Sequence, residues 1–158
     1  MENLDSIDIK LLKLLQENSR LTTKELATEV GLSISPVYER VKRLENEGYI
    51  AKYVALLDPI KLKLSFIAYV MVKLNKPSEE GAMEFISTIR TIPEVVECSS
   101  LMGRFDYLLK IYSPNIEFYR KFVLDDLGSI QSVGNVESSI VMSIVKDTTA
   151  LPLKQIEV

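Results

Sequence analysis

Residues 31–50, GLSISPVYERVKRLENEGYI, open on a glycine, cross two serines and a proline, and enter a helical pattern that gathers Arg40, Lys42 and Arg43. Val37, Val41 and Leu44 recur four and three residues apart, which makes one apolar stripe. At about 100° per residue, Ser35, Glu39, Lys42, Arg43 and Asn46 fall on the opposite face, flanked by Tyr38 and Arg40. Such a face suits the DNA major groove. Short side chains at its start let the backbone approach, hydroxyls and helix-end N–H groups meet phosphates, and Arg or Lys reach guanine edges. Pro36 fits a helix only in the first turn, and either Ser33 or Ser35 can supply the cap. The competing reading is a solvated face on which the basic residues pair with Glu39, Glu45 and Glu47 at helical spacings. Periodicity alone does not separate the two.

Upstream, two more short helices are expected. Asp5 or Ser6 can cap the first, whose Ile7, Leu11, Leu14 and Leu15 share a face as far as Asn18. Thr22 and Glu25 have the spacing of a capping box for the second, which turns Leu26, Ala27 and Val30 inward and stops at Gly31 in a left-handed conformation. The joint Val30-Gly31-Leu32-Ser33 then has the length of the turn in a helix-turn-helix.

Downstream of Gly48 the period changes. Tyr49 to Leu57 reads as an extended strand ending at Asp58-Pro59. Ser65 to Leu74 (SFIAYVMVKL) reads as a strand, Glu79 to Arg90 as an amphipathic helix, and Val95 to Met102 as a strand. Asp106 to Tyr112 follows as a strand, Ile116 to Leu127 as a helix and Val133 to Lys146 as a last strand. The fold class is therefore α+β: a helix-turn-helix (winged-helix-like) domain over 1–50, a strand and linker over 51–64, and a βαββαβ ferredoxin-like sandwich over 65–158. Tyr69, Met71, Phe85, Ile86, Ile89, Tyr119, Phe122 and Val123 fall at core positions of these elements, and Cys98 reads as a small buried strand residue.

The chain of 158 residues is 47% hydrophobic and 26% charged, an ordinary balance for one domain or two small ones. A single cysteine and the absence of histidine exclude an intrachain disulfide, a Cys/His zinc site and His-based triads. Without a phosphate loop or a paired-carboxylate cleft, an enzyme is not expected, nor is a cofactor. The net charge of −3 argues against binding nucleic acid through a general positive field, yet between 33 and 43 three basic residues face Glu39 alone. No apolar run approaches the ~18 residues of a membrane span, and MENLDSIDIK lacks the pattern of a signal peptide, so a cytoplasmic protein is expected.

The stretch 31–50 resembles the helix-turn-helix of the Lrp/AsnC (feast/famine) family, and LDSIDIKLLKLLQENSRLTTKELATEVGLS, residues 4–33, resembles the helices that precede it. VVECSSLMGRFDYLLKIY (95–112) and DTTALPL (147–153) are similar to the family's amino-acid-sensing domain. The resemblance implies a nucleoid-associated transcription regulator that binds palindromic-like operators as a dimer or an octamer of four dimers, tuned by a small amino acid. Carried over by position, it implies DNA contacts from Ser33, Ser35, Pro36, Tyr38, Glu39, Arg40, Lys42 and Arg43, with phosphate contacts from Thr22, Thr23 and Lys24. In SSLMGRFDYLL, residues 99–109, a turn at Gly103 and Arg104 is expected on residue type alone. A zwitterionic amino acid needs N–H donors for its carboxylate, an acceptor for its ammonium and an apolar wall. Gly103 to Phe105 suit the first, Asp106 the second, and Leu101, Met102 or Phe105 the third. The resemblance adds Arg104 and, from the last strand of a neighbouring subunit, Ser138 or Ser139. The alternative function is a winged-helix protein-interaction module without a small-molecule effector.

Overall fold

The computed structural model describes residues 4–76 and 78–153. The chain divides into two compact units, one reaching to Leu56 and taking back the segment from Lys146, the other spanning Leu57–Val145. By contacts, residues 146–153 pack with the first unit.

The first unit holds α1 (Ser6–Glu17), α2 (Thr23–Val30) and α3 (Ile34–Asn46). Asp5, rather than Ser6, caps α1. The Asp8 N–H donates to Asp5 Oδ1 at 2.8 Å while the Asp5 N–H donates to Asp8 Oδ2 at 3.1 Å, closing a reciprocal box. A second box starts α2: the Glu25 N–H donates to Thr22 Oγ1 at 3.3 Å, and Glu25 Oε2 accepts from the Thr22 N–H at 2.7 Å. Gly31 ends α2 at φ 72° and ψ 33°, the left-handed conformation that a side chain disfavours, and the Leu32 N–H closes the cap on the Ala27 carbonyl at 3.1 Å. Leu11, Leu15, Leu26, Ala27, Val30, Val37 and Leu44 bury one core, bordered by Ile7, Leu14 and Val41. Three short helices hold together because each gives its apolar stripe to this cluster. The returning segment is fixed to α1 by the Gln16 side chain, whose Nε2 donates to the Leu151 carbonyl at 3.1 Å and whose Oε1 accepts from the Leu151 N–H at 2.9 Å.

The strand expected over Tyr49 to Leu57 is not formed: residues 51–58 carry no ladder among the described residues. A β-rich sequence becomes a strand only when its N–H and C=O groups find a neighbouring strand, and among the described residues 51–58 pair with none. Val54, Leu56, Leu57 and Ile60 are exposed along it and beyond.

The second unit runs β1 (Phe66–Leu74), α4 (Glu79–Ile89), β2 (Val95–Ser100), β3 (Tyr107–Ser113), α5 (Ile116–Lys121) continuing as a π-helical turn over Phe122–Leu127, and β4 (Val133–Ile140). The sheet is antiparallel in the order β2-β3-β1-β4, the split βαββαβ arrangement. Ala68, Val70 and Val72 of β1 and Tyr107, Leu109 and Ile111 of β3 meet Phe85 and Ile89 of α4 and Tyr119, Phe122 and Leu127 of α5 and its π turn. Tyr69 and Met71 do not join this core. Alternation turns them to the sheet face without helices, where Tyr69 is 37% exposed and Met71 half-buried. Cys98 is exposed rather than buried, because β2 is an edge strand with little covering it. No helix among the described residues is long and apolar enough to cross a membrane.

Candidate functional site

The helix α3 divides into two halves. In the first, Ser33 occupies the cap position but makes no side-chain capping bond, and Ser35, Pro36, Tyr38 and Glu39 are exposed with it. Pro36 is the third helical residue, where its missing N–H would have had no partner. The exposed start therefore offers free first-turn N–H groups and a serine hydroxyl. Ser33, not Ser35, is the residue at the cap.

In the second half the basic residues part company. Lys42 stays at the surface, pairing with Glu45 at 2.8 Å and lying 6.0 Å from the centre of the Tyr38 ring. Glu45 in turn accepts from the Tyr53 hydroxyl at 3.0 Å, and the Tyr53 phenol is pushed up to about 12 by burial and by this bond. Arg40 and Arg43, placed on or beside the outer face by the helical wheel, bend to α1 instead. Arg40 Nη1 donates to Asp5 Oδ2 at 2.6 Å and to Asp8 Oδ1 at 2.8 Å, while Arg43 Nη2 donates to Asp8 Oδ2. Asp8 is only 1% exposed, and a carboxylate taken from water needs positive partners. The Arg40 guanidinium is held further above its ordinary value by the bonds to Asp8 and Asp5, and the Asp5 carboxyl is held low by the Asp8 N–H and then by Arg40. In this structure both arginines, each about 30% exposed, are engaged by the carboxylates of α1 rather than extended from the outer face. Asp8 has only a faint signal in the sequence, an acid three residues after the cap Asp5, set between Ile7 and Ile9.

At the start of α2 the Thr22 hydroxyl donates to Glu25 Oε2 at 2.7 Å, so it is engaged in the box. Thr23 is half-buried and Lys24 exposed. Among the first-turn donors, the Thr23 and Lys24 N–H groups are those the box does not use.

In the second unit, Leu101, Met102, Gly103 and Arg104 form an exposed turn between β2 and β3, and Phe105 is buried at its foot. Gly103 has φ 147°, outside the range that side-chain-bearing residues readily adopt. Arg104 lies over the Phe105 ring, 5.2 Å from its centre, with a guanidinium nitrogen 3.9 Å from Glu137 Oε2 on β4. Asp106 is less available than the sequence suggests. Its Oδ2 accepts from the Leu74 N–H at 2.8 Å and its Oδ1 from Lys73 Nζ at 2.9 Å, bonds that hold its carboxyl below the ordinary value. Asp106 therefore pins the turn to β1 before it meets any ligand. Ser138 and Ser139 are neighbours on β4 and so face opposite sides of the sheet. Ser138 accepts a hydrogen bond from the Tyr119 hydroxyl on the helix-covered side, leaving Ser139 on the open side with Glu137 and Arg104.

Comparisons with known proteins bear on both units. The model of the Lrp/AsnC ligand binding domain matches residues 67–151, and that of a winged helix-turn-helix DNA-binding domain matches residues 4–51. The chain belongs to the Lrp/AsnC family. It is 41% identical over 147 residues to the proline dehydrogenase transcriptional activator of Rhizobium radiobacter, covering 93% of this chain and 94% of that one. To the leucine-responsive regulatory protein of Escherichia coli it is 37% identical over 153 residues, covering 97% and 93%. Among solved structures, a transcriptional regulator of Neisseria meningitidis in complex with L-Met is 40% identical with a TM-score of 0.93, over 96% of this chain and 98% of that one. This Lrp/AsnC protein is thus a DNA-binding transcriptional regulator with a ligand-binding domain, and not an enzyme.

Proposed function

We infer that the regulator acts as a homo-oligomer, a dimer at least and an octamer of four dimers when assembled, on palindromic-like operators in the cytoplasm. The exposed first half of α3, with Ser33, Ser35, Pro36, Tyr38 and Glu39, enters the major groove, joined by Lys42. Thr23 and Lys24 at the start of α2 meet the phosphates. The observation that carries this reading is the free cap of α3: Ser33 holds no capping bond and the first-turn residues around it are exposed. A small amino acid binds beside Gly103 to Asp106, against Phe105 and Arg104, and Ser139 of a neighbouring subunit completes the site. The L-Met held by the Neisseria relative supports an amino acid, and methionine is the first to try. The uncovered sheet face with Tyr69 and Met71 and the unpaired, apolar stretch 51–58 support self-association.

Footprinting of the upstream region of the protein's own gene, with and without each amino acid, tests this. Protected half-sites about one helical turn apart are expected, shifting when the effector is added. Protection of no DNA would favour the protein-interaction module. Titration calorimetry showing no uptake of any common amino acid at millimolar concentration would remove the effector.

A further inference from the structure

Asp8 is the only buried charged side chain among the described residues, and it lies in α1. Both of its oxygens are occupied: Oδ1 accepts from Arg40, and Oδ2 from Arg43 and from the Asp5 N–H. Arg40 and Arg43 are three residues apart and share one flank of α3, as Asp5 and Asp8 share the first turn of α1. Two such pairs, cross-bonded, fix more than an apolar contact does. The apolar contacts of Val37 and Leu44 carry little directionality of their own, whereas hydrogen bonds to a buried carboxylate fix both distance and angle.

We propose that Asp8 is a positioning residue for DNA recognition: by gripping Arg40 and Arg43 it sets the rotation of α3, and the two arginines hold the helix while its exposed residues read the bases. This rests on the reading that α3 meets DNA through its exposed first half. It assigns discrimination to Ser35, Tyr38, Glu39 and Lys42, and it makes two of the three basic residues of α3 silent towards phosphate. A rotation of one residue step, about 100°, would move a different side chain to the groove.

The test uses the full chain, a duplex enriched by the wild-type protein from a random pool, and a scrambled duplex of equal length. Asp8→Asn is expected to lower affinity for the enriched duplex tenfold or more. Affinity for the scrambled duplex is expected to hold or rise, and its salt slope to steepen by about one to two per bound subunit as the freed arginines reach phosphates. Arg40→Ala and Arg43→Ala are expected to lower the ratio of the two affinities without flattening the salt slope. Equal weakening of both duplexes by Asp8→Asn at unchanged slope would overturn the role, as would no change in either. So would a slope flattened by about one in Arg40→Ala, the mark of a direct phosphate contact. If Asp8→Asn does not fold, Asp5→Asn decides by the same readouts. Asn is a good cap, and the change removes one Arg40 bond at a half-exposed carboxylate. Failure of the wild-type protein to enrich any sequence would instead overturn the DNA-contact reading on which this role depends.

Discussion

Asp106 sits where an ammonium acceptor was wanted, but the chain itself has claimed it. Its carboxylate takes the Leu74 N–H and the Lys73 ammonium, so the turn carrying Gly103 and Arg104 is anchored before any ligand arrives. Asp106→Asn keeps an acceptor for Leu74 and loses the ion pair, which is partly exposed, so the cost at neutral pH is about 1 kcal/mol or less in urea denaturation. A carboxyl held low in the folded state stabilises above its ordinary value, and that contribution is lost as pH falls through the folded value. The gap between wild type and Asp106→Asn is therefore expected to close as pH drops below about 4. A gap that stays constant down to strong acid would place the effect elsewhere. Gly103 gives a second test at this scale. The space around it is open, so Gly103→Ala meets no atom, and its cost comes from φ alone, about 1 kcal/mol.

Capping separates the helices that fold from the helix that binds. Thr22 is spent on α2: its hydroxyl and N–H are both bonded to Glu25, so Thr22→Ala is expected to cost about 1 kcal/mol of thermal stability. Ser33 makes no such bond, so Ser33→Ala is expected to leave the melting temperature unchanged and to weaken operator binding in a mobility-shift titration. A large drop in melting temperature for Ser33→Ala would count against the free cap. The elements were legible in the sequence because their signals are local: the Thr22–Glu25 spacing, Gly31 and the apolar stripes all act within a few residues. What was not legible depends on a partner in space. The wheel gave the direction in which the Arg40 and Arg43 backbones face, but a long side chain can turn back to a buried acid on another helix. Tyr69 and Met71 show the same limit. An apolar residue on either face of a strand satisfies the strand pattern, and only the position of the helices decides which face is the core.

Across the whole molecule, the chain enters the first unit at its start and comes back to it after β4. Gln16 holds the returning backbone through a paired donor and acceptor. Gln16→Ala removes both, and hydrogen exchange at the Leu151 amide is expected to speed up without a change at the Leu109 or Ile111 amides of β3. Acceleration in both units would mean that the contact supports more than the tail.

By its contacts, this path makes the sheet-bearing unit an insertion. Residues 57–145 interrupt a helical unit whose two parts flank them in sequence, as a parenthesis interrupts a sentence. A single cut near residue 56, the obvious way to split a two-domain regulator, would yield a helical fragment without the segment that Gln16 holds. A dissection that follows the contacts excises 57–145 and rejoins the ends with a short flexible link, leaving behind residues 146–151 that the ligand-binding match includes.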